Sequence, residues 1–226
     1  MNNQPGTIIF DLDGTLVDSQ RDLVPALNHA TATCDLPPVE TQDVGMVVGK
    51  GATVMISRAF ELHGRQLDPD THKQLLSLFL AYYEAHIADE TIFYDDCLIA
   101  LDTLATKGWQ LAVCTNKFEH LARKLLAQLN ATDRFCVITG GDTFDVKKPD
   151  PGHLIQTLAL CGGTSDRAIM VGDSTNDIIA AHKANIPSIG VDFGYCDVAP
   201  ADMGADVLID GFDKLDAAVG HLANWV

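Results

Sequence analysis

The chain has 226 residues, 47% hydrophobic and 20% charged, with a formal net charge of −16 at pH 7. That length and balance suit a soluble globular protein with a full core, either one large domain or a domain carrying an insertion. The acidity sets the overall field against nucleic acid and anionic membranes, but leaves room for an anionic small molecule at a site with its own lysines or metal.

Residues 1–5 are polar and lack the basic and apolar regions of a secretory signal. No apolar run approaches the ~18 residues a membrane helix needs, so the expected setting is the cytoplasm. Six cysteines, at 34, 97, 114, 136, 161 and 196, form no C-x-x-C pair. They are expected to be free thiols, as befits a reducing compartment. The 8 histidines are scattered without metal-ligand spacing and are expected at the surface.

The first predicted element is the apolar run Thr7–Phe10, which leads directly into Asp11-Leu12-Asp13-Gly14-Thr15-Leu16. Two carboxylates two residues apart leave a buried strand where a turn begins, and such a pair needs a cation or a proton to be tolerated. A plain turn accounts for Asp13-Gly14 but gives no reason for Asp11 or Thr15. Residues 18–89 then show helical periodicity and no convincing strand. Ala52–Leu62 and residues 70–83 repeat apolar positions at helical spacing, as packing faces do. A helix near 95–107 returns the chain to strand territory.

Short apolar, β-branched runs follow at 111–114, 136–139, 168–171, Ser188–Val191 and Val207–Ile209, with helical patterns between most of them. The alternation predicts an α/β fold: a Rossmann-like parallel sheet with helices on both faces and an inserted all-helical cap. Residues 1–17 and 90–226 form the expected core, and residues 18–89 the cap. Ligands of open parallel sheets bind beyond the carboxyl ends of the strands, so the chemistry is sought there.

The strand ends carry a coherent set. They are Asp11 and Asp13, then Thr115-Asn116-Lys117, then Lys147-Lys148-Pro149, and last Gly172-Asp173-Ser174-Thr175-Asn176-Asp177. Phosphoryl transfer from a monoester uses each residue type. A carboxylate attacks phosphorus, and a second one manages the leaving-group and water protons. A hard dication lets anion approach anion, while a hydroxyl, backbone N–H groups and a lysine spread the equatorial charge. Structural alternatives stand beside these roles: Thr115 as a cap for a helix starting near Phe118, Lys147 as a solvated charge, and Asp177 as a first-turn acid facing its helix dipole.

In order and spacing, Asp11-Leu12-Asp13-Gly14-Thr15, Thr115-Asn116, Lys148-Pro149 and Gly172-Asp173-Ser174-Thr175-Asn176-Asp177 resemble the four motifs of the haloacid dehalogenase superfamily of phosphatases. The helical insert resembles that family's alpha-helical cap. The resemblance implies that Asp11 is the nucleophile and a Mg²⁺ ligand. It makes Asp13 the acid/base and a ligand through its backbone carbonyl. Thr115 and the Asn116 N–H hold the phosphoryl group, Lys148 neutralises Asp11 and phosphate, Asp173 binds Mg²⁺, and Asp177 orients metal-bound water or Lys148. Dehalogenases proper lack the second acid, so Asp13 points to a phosphatase or phosphomutase.

The cap is left to supply specificity. Val48-Gly49-Lys50-Gly51-Ala52 places Lys50 at the start of a cap helix, where it is expected to meet a substrate anion, and Arg58 lies further along the same helix. Residues 11–19 and 49–60 resemble phosphoglycolate phosphatases. The expected function is therefore Mg²⁺-dependent hydrolysis of a small phosphate monoester, with phosphoglycolate as the leading substrate. A phosphomonoesterase of other specificity, a pyrophosphatase, a sugar-phosphate mutase and a catalytically silent phosphate-binding protein are the alternatives. The expected partner is a small phosphorylated metabolite, without nucleic acid or membrane, bound by a monomer or homodimer.

Overall fold

The computed structural model describes residues 6–223, so the reading of residues 1–5 lies outside the described part. β1 (Thr7–Phe10), β4 (Gln110–Cys114), β5 (Val137–Thr139), β6 (Ala168–Gly172), β7 (Ser188–Val191) and β8 (Val207–Ile209) form one sheet. Its order is β5-β4-β1-β6-β7-β8, and every neighbouring pair is parallel. The strands match the six apolar runs of the sequence to within a residue.

Successive strand side chains point to opposite faces, and the central strands of this sheet are buried on both faces. Ile8, Phe10, Leu111, Val113, Ile169 and Val171 enter one cluster with α5 (Cys97–Thr106), α6 (Glu119–Gln128) and α9 (Leu215–Leu222). Ile9, Ala112, Cys114, Ala168 and Met170 enter a second, under α7 (Pro151–Leu160) and α8 (Thr175–Lys183). Burial on both faces is why these strands read as continuous apolar runs rather than alternating ones.

Four helices, α1 (Gln20–Thr31), α2 (Thr41–Val48), α3 (Ala52–Leu62) and α4 (Pro69–Ala85), lie between β1 and the rest of the sheet in sequence. α1 packs on α4, α2 on α3, and α3 on α4. Their buried side chains, among them Leu27, Met55, Phe60, Leu75 and Phe79, join the first of the two core clusters. Asp68 starts α4 by accepting hydrogen bonds from the Asp70 and Thr71 N–H groups, with Pro69 at the first helical position.

The sequence showed no strand from 18 to 89 and placed the next one only near Leu111. The structure adds a short antiparallel pair, β2 (Val17–Asp18) with β3 (Ile92–Phe93), where the chain leaves the sheet and returns to it. Two-residue strands are too short to carry a period, and their partners are far apart in sequence. Asp22, buried at the start of α1, reinforces the same junction. Its carboxylate accepts from the Glu90 N–H (3.1 Å), the Thr91 N–H (2.9 Å) and the Thr91 hydroxyl (2.6 Å).

Two further expectations are corrected. Cys136 and Cys161 are joined by a disulfide, because β5 and α7 pack together and bring their Cα atoms to 6.0 Å across 25 residues of sequence. Spacing along the chain gives no sign of that approach; Cys34, Cys97, Cys114 and Cys196 are free thiols as expected. His153 is fully buried rather than at the surface, since it lies on the face of α7 turned to the sheet. Among the described residues, no helix is long and apolar enough to cross a membrane.

Removing the Asp22 carboxylate leaves the two buried Thr91 donors and the partly buried Glu90 N–H without it, a buried donor costing about 1–3 kcal/mol when left unpaired. Asp22→Ala is expected to lower the unfolding free energy by about 3 kcal/mol, read from urea denaturation, with Asp22→Asn losing less.

Candidate active site

Phe10 lies level with Val113 on one side and Val171 on the other, so three neighbouring strands end together at the point where the connections diverge. Their next residues are therefore brought to one edge: Asp11 and Asp13 after β1, Thr115 and Asn116 after β4, Asp173 after β6 and Asp177 in the first turn of α8. Lys148 joins them from the loop before α7, where the Lys148–Pro149 peptide is cis. Asp11, Asp13, Thr115, Lys148, Asp173 and Asp177 are all buried.

The Lys148 ammonium, 1% exposed, sits 3.0 Å from Asp11 Oδ1 and 2.6 Å from Asp177 Oδ1. Burial opposes its charge, but Asp11 and Asp177 outweigh burial and hold the ammonium above the ordinary lysine range. The Asn116 amide donates to the Lys148 carbonyl (3.0 Å), and the Lys148 N–H donates to His153 Nδ1 (3.3 Å), which fixes the lysine backbone. Burial and the neighbouring Lys148 push His153 down to about 4, so its ring is a neutral acceptor.

Asp177 does two jobs at once. With Ser174 it forms a capping box on α8, accepting from the Ser174 N–H (3.1 Å) and hydroxyl (2.7 Å) through Oδ2, while Oδ1 takes Lys148. Its first-turn position on α8 and its contact with Lys148 therefore coexist in one residue. Thr115 does not cap the next helix: α6 begins at Glu119 with no side-chain cap, and the Thr115 hydroxyl accepts instead from the Lys117 N–H at 3.3 Å.

Asp11, Asp173 and Asp177 each offer a carboxylate oxygen, all within 4.8 Å of one another. Burial, offset in part by Lys148, raises Asp11 to about 6; burial and the charges of Asp177 and Asp11 raise Asp173 well above the carboxylate range. A buried cluster of hard oxygen donors short of positive charge suits a hard dication. Asp173 is held in place by the Thr15 hydroxyl (3.0 Å) and the Tyr195 N–H (2.8 Å), which gives Thr15 the purpose a turn did not explain.

Beyond these residues opens a cavity of about 240 Å³, walled by Asp11, Asp13, Thr115 and Asn116 below and by Leu23, Val48, Met55, Phe79 and Tyr83 of the helical insert above. Lys50 reaches its rim, 38% exposed and 3.3 Å from Asp197, whose other bonds cap the Thr175 end of α8. Arg58 does not reach the cavity. The packing face of α3 is Met55, Ile56, Ala59 and Phe60, and Arg58 lies off it, 3.7 Å from Glu61.

Sequence reasoning gave no role to four residues that shape the site. Lys117 lies 2.9 Å from both Asp13 oxygens, and the Ser19 hydroxyl donates to Asp13 Oδ1 at 2.5 Å. Tyr195 and Gly194, after β7, press on Asp173 and the Asp13-Gly14 turn. The strand-end rule applied to β4 and β7 marks Lys117 and Tyr195; nothing local marks Ser19 or Gly194. Gly194 is required for space: a Cβ there would stand 2.3 Å from the Gly14 carbonyl oxygen and 2.4 Å from Asp173 Cβ. Gly194→Ala is expected to cut turnover by at least about 100-fold through displacement of Asp173. It should also diminish any rise in melting temperature that a divalent cation induces, measured by thermal unfolding with and without the ion.

A family model of haloacid dehalogenase-like hydrolases matches residues 8–191. The chain is 48% identical over 211 residues to a phosphoglycolate phosphatase of Agrobacterium fabrum, covering 93% of this chain and 91% of that one. It is 42% identical over 208 residues to a phosphoglycolate phosphatase of Mesorhizobium japonicum, covering 92% of each. A crystal structure described as a predicted phosphoglycolate phosphatase from Haemophilus somnus 129PT superposes with a TM-score of 0.89 at 30% identity, over 96% of this chain and 99% of that one. The buried acidic strand ends, their lysine and the parallel sheet beneath them thus sit in a known lineage: the chain belongs to the haloacid dehalogenase-like hydrolases.

Proposed function

We propose that this protein is a Mg²⁺-dependent phosphatase that hydrolyses 2-phosphoglycolate through an aspartyl-phosphate on Asp11. The observation that carries the reading is Asp11 itself: a buried carboxylate at the end of the central strand, with Lys148 at 3.0 Å and Asp173 and Asp177 close by. The relatives that bear the phosphoglycolate phosphatase name supply the substrate.

In this reading an Asp11 oxygen attacks phosphorus as the ester P–O bond breaks. Asp13 delivers a proton to the departing alkoxide, then takes one from the water that attacks the phosphoenzyme, so Asp11 is regenerated and inorganic phosphate leaves. Lys148, the Thr115 hydroxyl and the Asn116 N–H bind the equatorial oxygens throughout. Asp11, Asp173 and the Asp13 backbone carbonyl would hold Mg²⁺, with Asp177 keeping Lys148 oriented. The ion would offset the like charges of carboxylate and phosphate.

The helical insert acts as a specificity cap over the cavity, and Lys50 adds positive charge at its rim, where an anionic substrate arrives. The small volume favours a small ester over a nucleotide or nucleic acid. A cytoplasmic setting goes with such a metabolic substrate.

Asp11→Asn is expected to abolish turnover, and excess chelator to do the same reversibly on addition of Mg²⁺. Beryllofluoride with Mg²⁺ should form a tight, inhibitory phosphoenzyme mimic with the parent protein and none with Asp11→Asn. Full activity of that variant would overturn the mechanism. Across 2-phosphoglycolate, sugar phosphates, nucleotides and pyrophosphate, kcat/KM should be highest for 2-phosphoglycolate; a better substrate elsewhere on the panel would overturn the substrate.

A further inference from the structure

Three lysines line the cavity, and two of them, Lys50 and Lys147, are exposed at its rim. The third, Lys117, has a side chain only 5% exposed. Its ammonium reaches both Asp13 oxygens at 2.9 Å and stands 4.5 Å from the ring centroid of Tyr83, which descends from α4. The two elements meet only in the folded chain, one at the end of β4 and the other in the insert.

An ammonium carries three N–H bonds, and an aromatic face is a weak third partner beside an anion. Tyr83 lines the same cavity, is 1% exposed, and ends in a buried hydroxyl with no hydrogen-bond partner. Burying a hydroxyl without a partner is costly. The Lys117 ammonium and the Tyr83 hydroxyl, neighbours on the wall of one small cavity, make a site ready for an anion.

The reaction says where that anion lies. Asp13 must touch the ester oxygen to protonate it, and Lys117 is bonded to Asp13. In 2-phosphoglycolate the carboxylate carbon is two bonds from that ester oxygen, so the carboxylate falls beside Asp13 under the insert. It cannot rest against the apolar wall of Leu23, Val48, Met55 and Phe79 without a counter-charge. We infer that Lys117 and Tyr83 together bind the carboxylate of the substrate, Lys117 as its counter-ion and the Tyr83 hydroxyl as a second donor, and so set specificity for carboxylated phosphate esters. The inference rests on the proposed phosphatase reading and assigns discrimination to a core–insert pair in place of the rim lysine Lys50.

The test compares kcat/KM for 2-phosphoglycolate with that for ethyl phosphate, a monoester of the same chain length without the carboxylate. Lys117 also touches Asp13, so Lys117→Met slows both reactions; their ratio isolates carboxylate recognition. That ratio should fall at least about 30-fold in Lys117→Met and recover substantially in Lys117→Arg. Tyr83→Phe keeps the packed ring and removes an unpaired group. It should melt no lower than the parent protein and lose about 10-fold in the ratio.

A parent protein with no preference for 2-phosphoglycolate over ethyl phosphate overturns the substrate reading and this inference with it. A parent protein with that preference, unchanged in Lys117→Met and Tyr83→Phe, overturns the inference alone. A ratio that moves in Lys50→Ala but in neither of those variants overturns it as well.

Discussion

Four buried carboxylates, Asp11, Asp13, Asp173 and Asp177, share one sheet edge with two ammoniums, Lys148 and Lys117, so the edge is short of two positive charges. That deficit is the constraint on which the rest of the structure depends. Charges in a dry interior must be paired, hydrogen-bonded or neutralised. Here the pairing is divided: Lys148 serves Asp11 and Asp177, and Lys117 serves Asp13. Asp173 has hydrogen bonds from Thr15 and Tyr195 but no ammonium, and it is raised above the carboxylate range by burial and by its acidic neighbours. The deficit is greatest at Asp11, Asp173 and Asp177, whose carboxylate oxygens lie within 4.8 Å of one another.

The scaffold explains how such a cluster is tolerated. A parallel sheet buried on both faces supplies rigid strand ends in register, and it is there that the chemistry-bearing loops begin. The helical insert then closes the fourth side. It is tied at its base by the β2–β3 pair and by Asp22, and it meets the core again through Tyr83 over Lys117 and Lys50 beside Asp197. These contacts hold the insert over the acidic edge and leave a cavity of about 240 Å³ between them.

Most of the sheet could be read directly. Strands buried on both faces leave continuous apolar runs, and the dihydrophobic packing left little room for another assignment at 168–171 or Ser188–Val191. The acids and Lys148 were equally visible, because each stands at a strand end within a short motif. What escaped were interactions between distant segments. Lys117 was in plain view beside Thr115 and Asn116, but its partner Asp13 is 104 residues away and its aromatic lid lies in the insert. The Cys136–Cys161 disulfide, the burial of His153 and the pairing of β2 with β3 failed to appear for the same reason.

The sequence by itself determined the parallel α/β core, the helical insert and which acids and lysine stand at the strand ends. Local patterning and strand-end position are properties of contiguous segments, so they survive reading one residue at a time. The tertiary structure decided which charge faces which. It turned Arg58 to Glu61 and Lys50 to Asp197, and it set Lys117 between Asp13 and Tyr83. Coulomb energies depend on separations of a few ångströms and on local burial, and neither quantity exists until the insert has folded over the sheet.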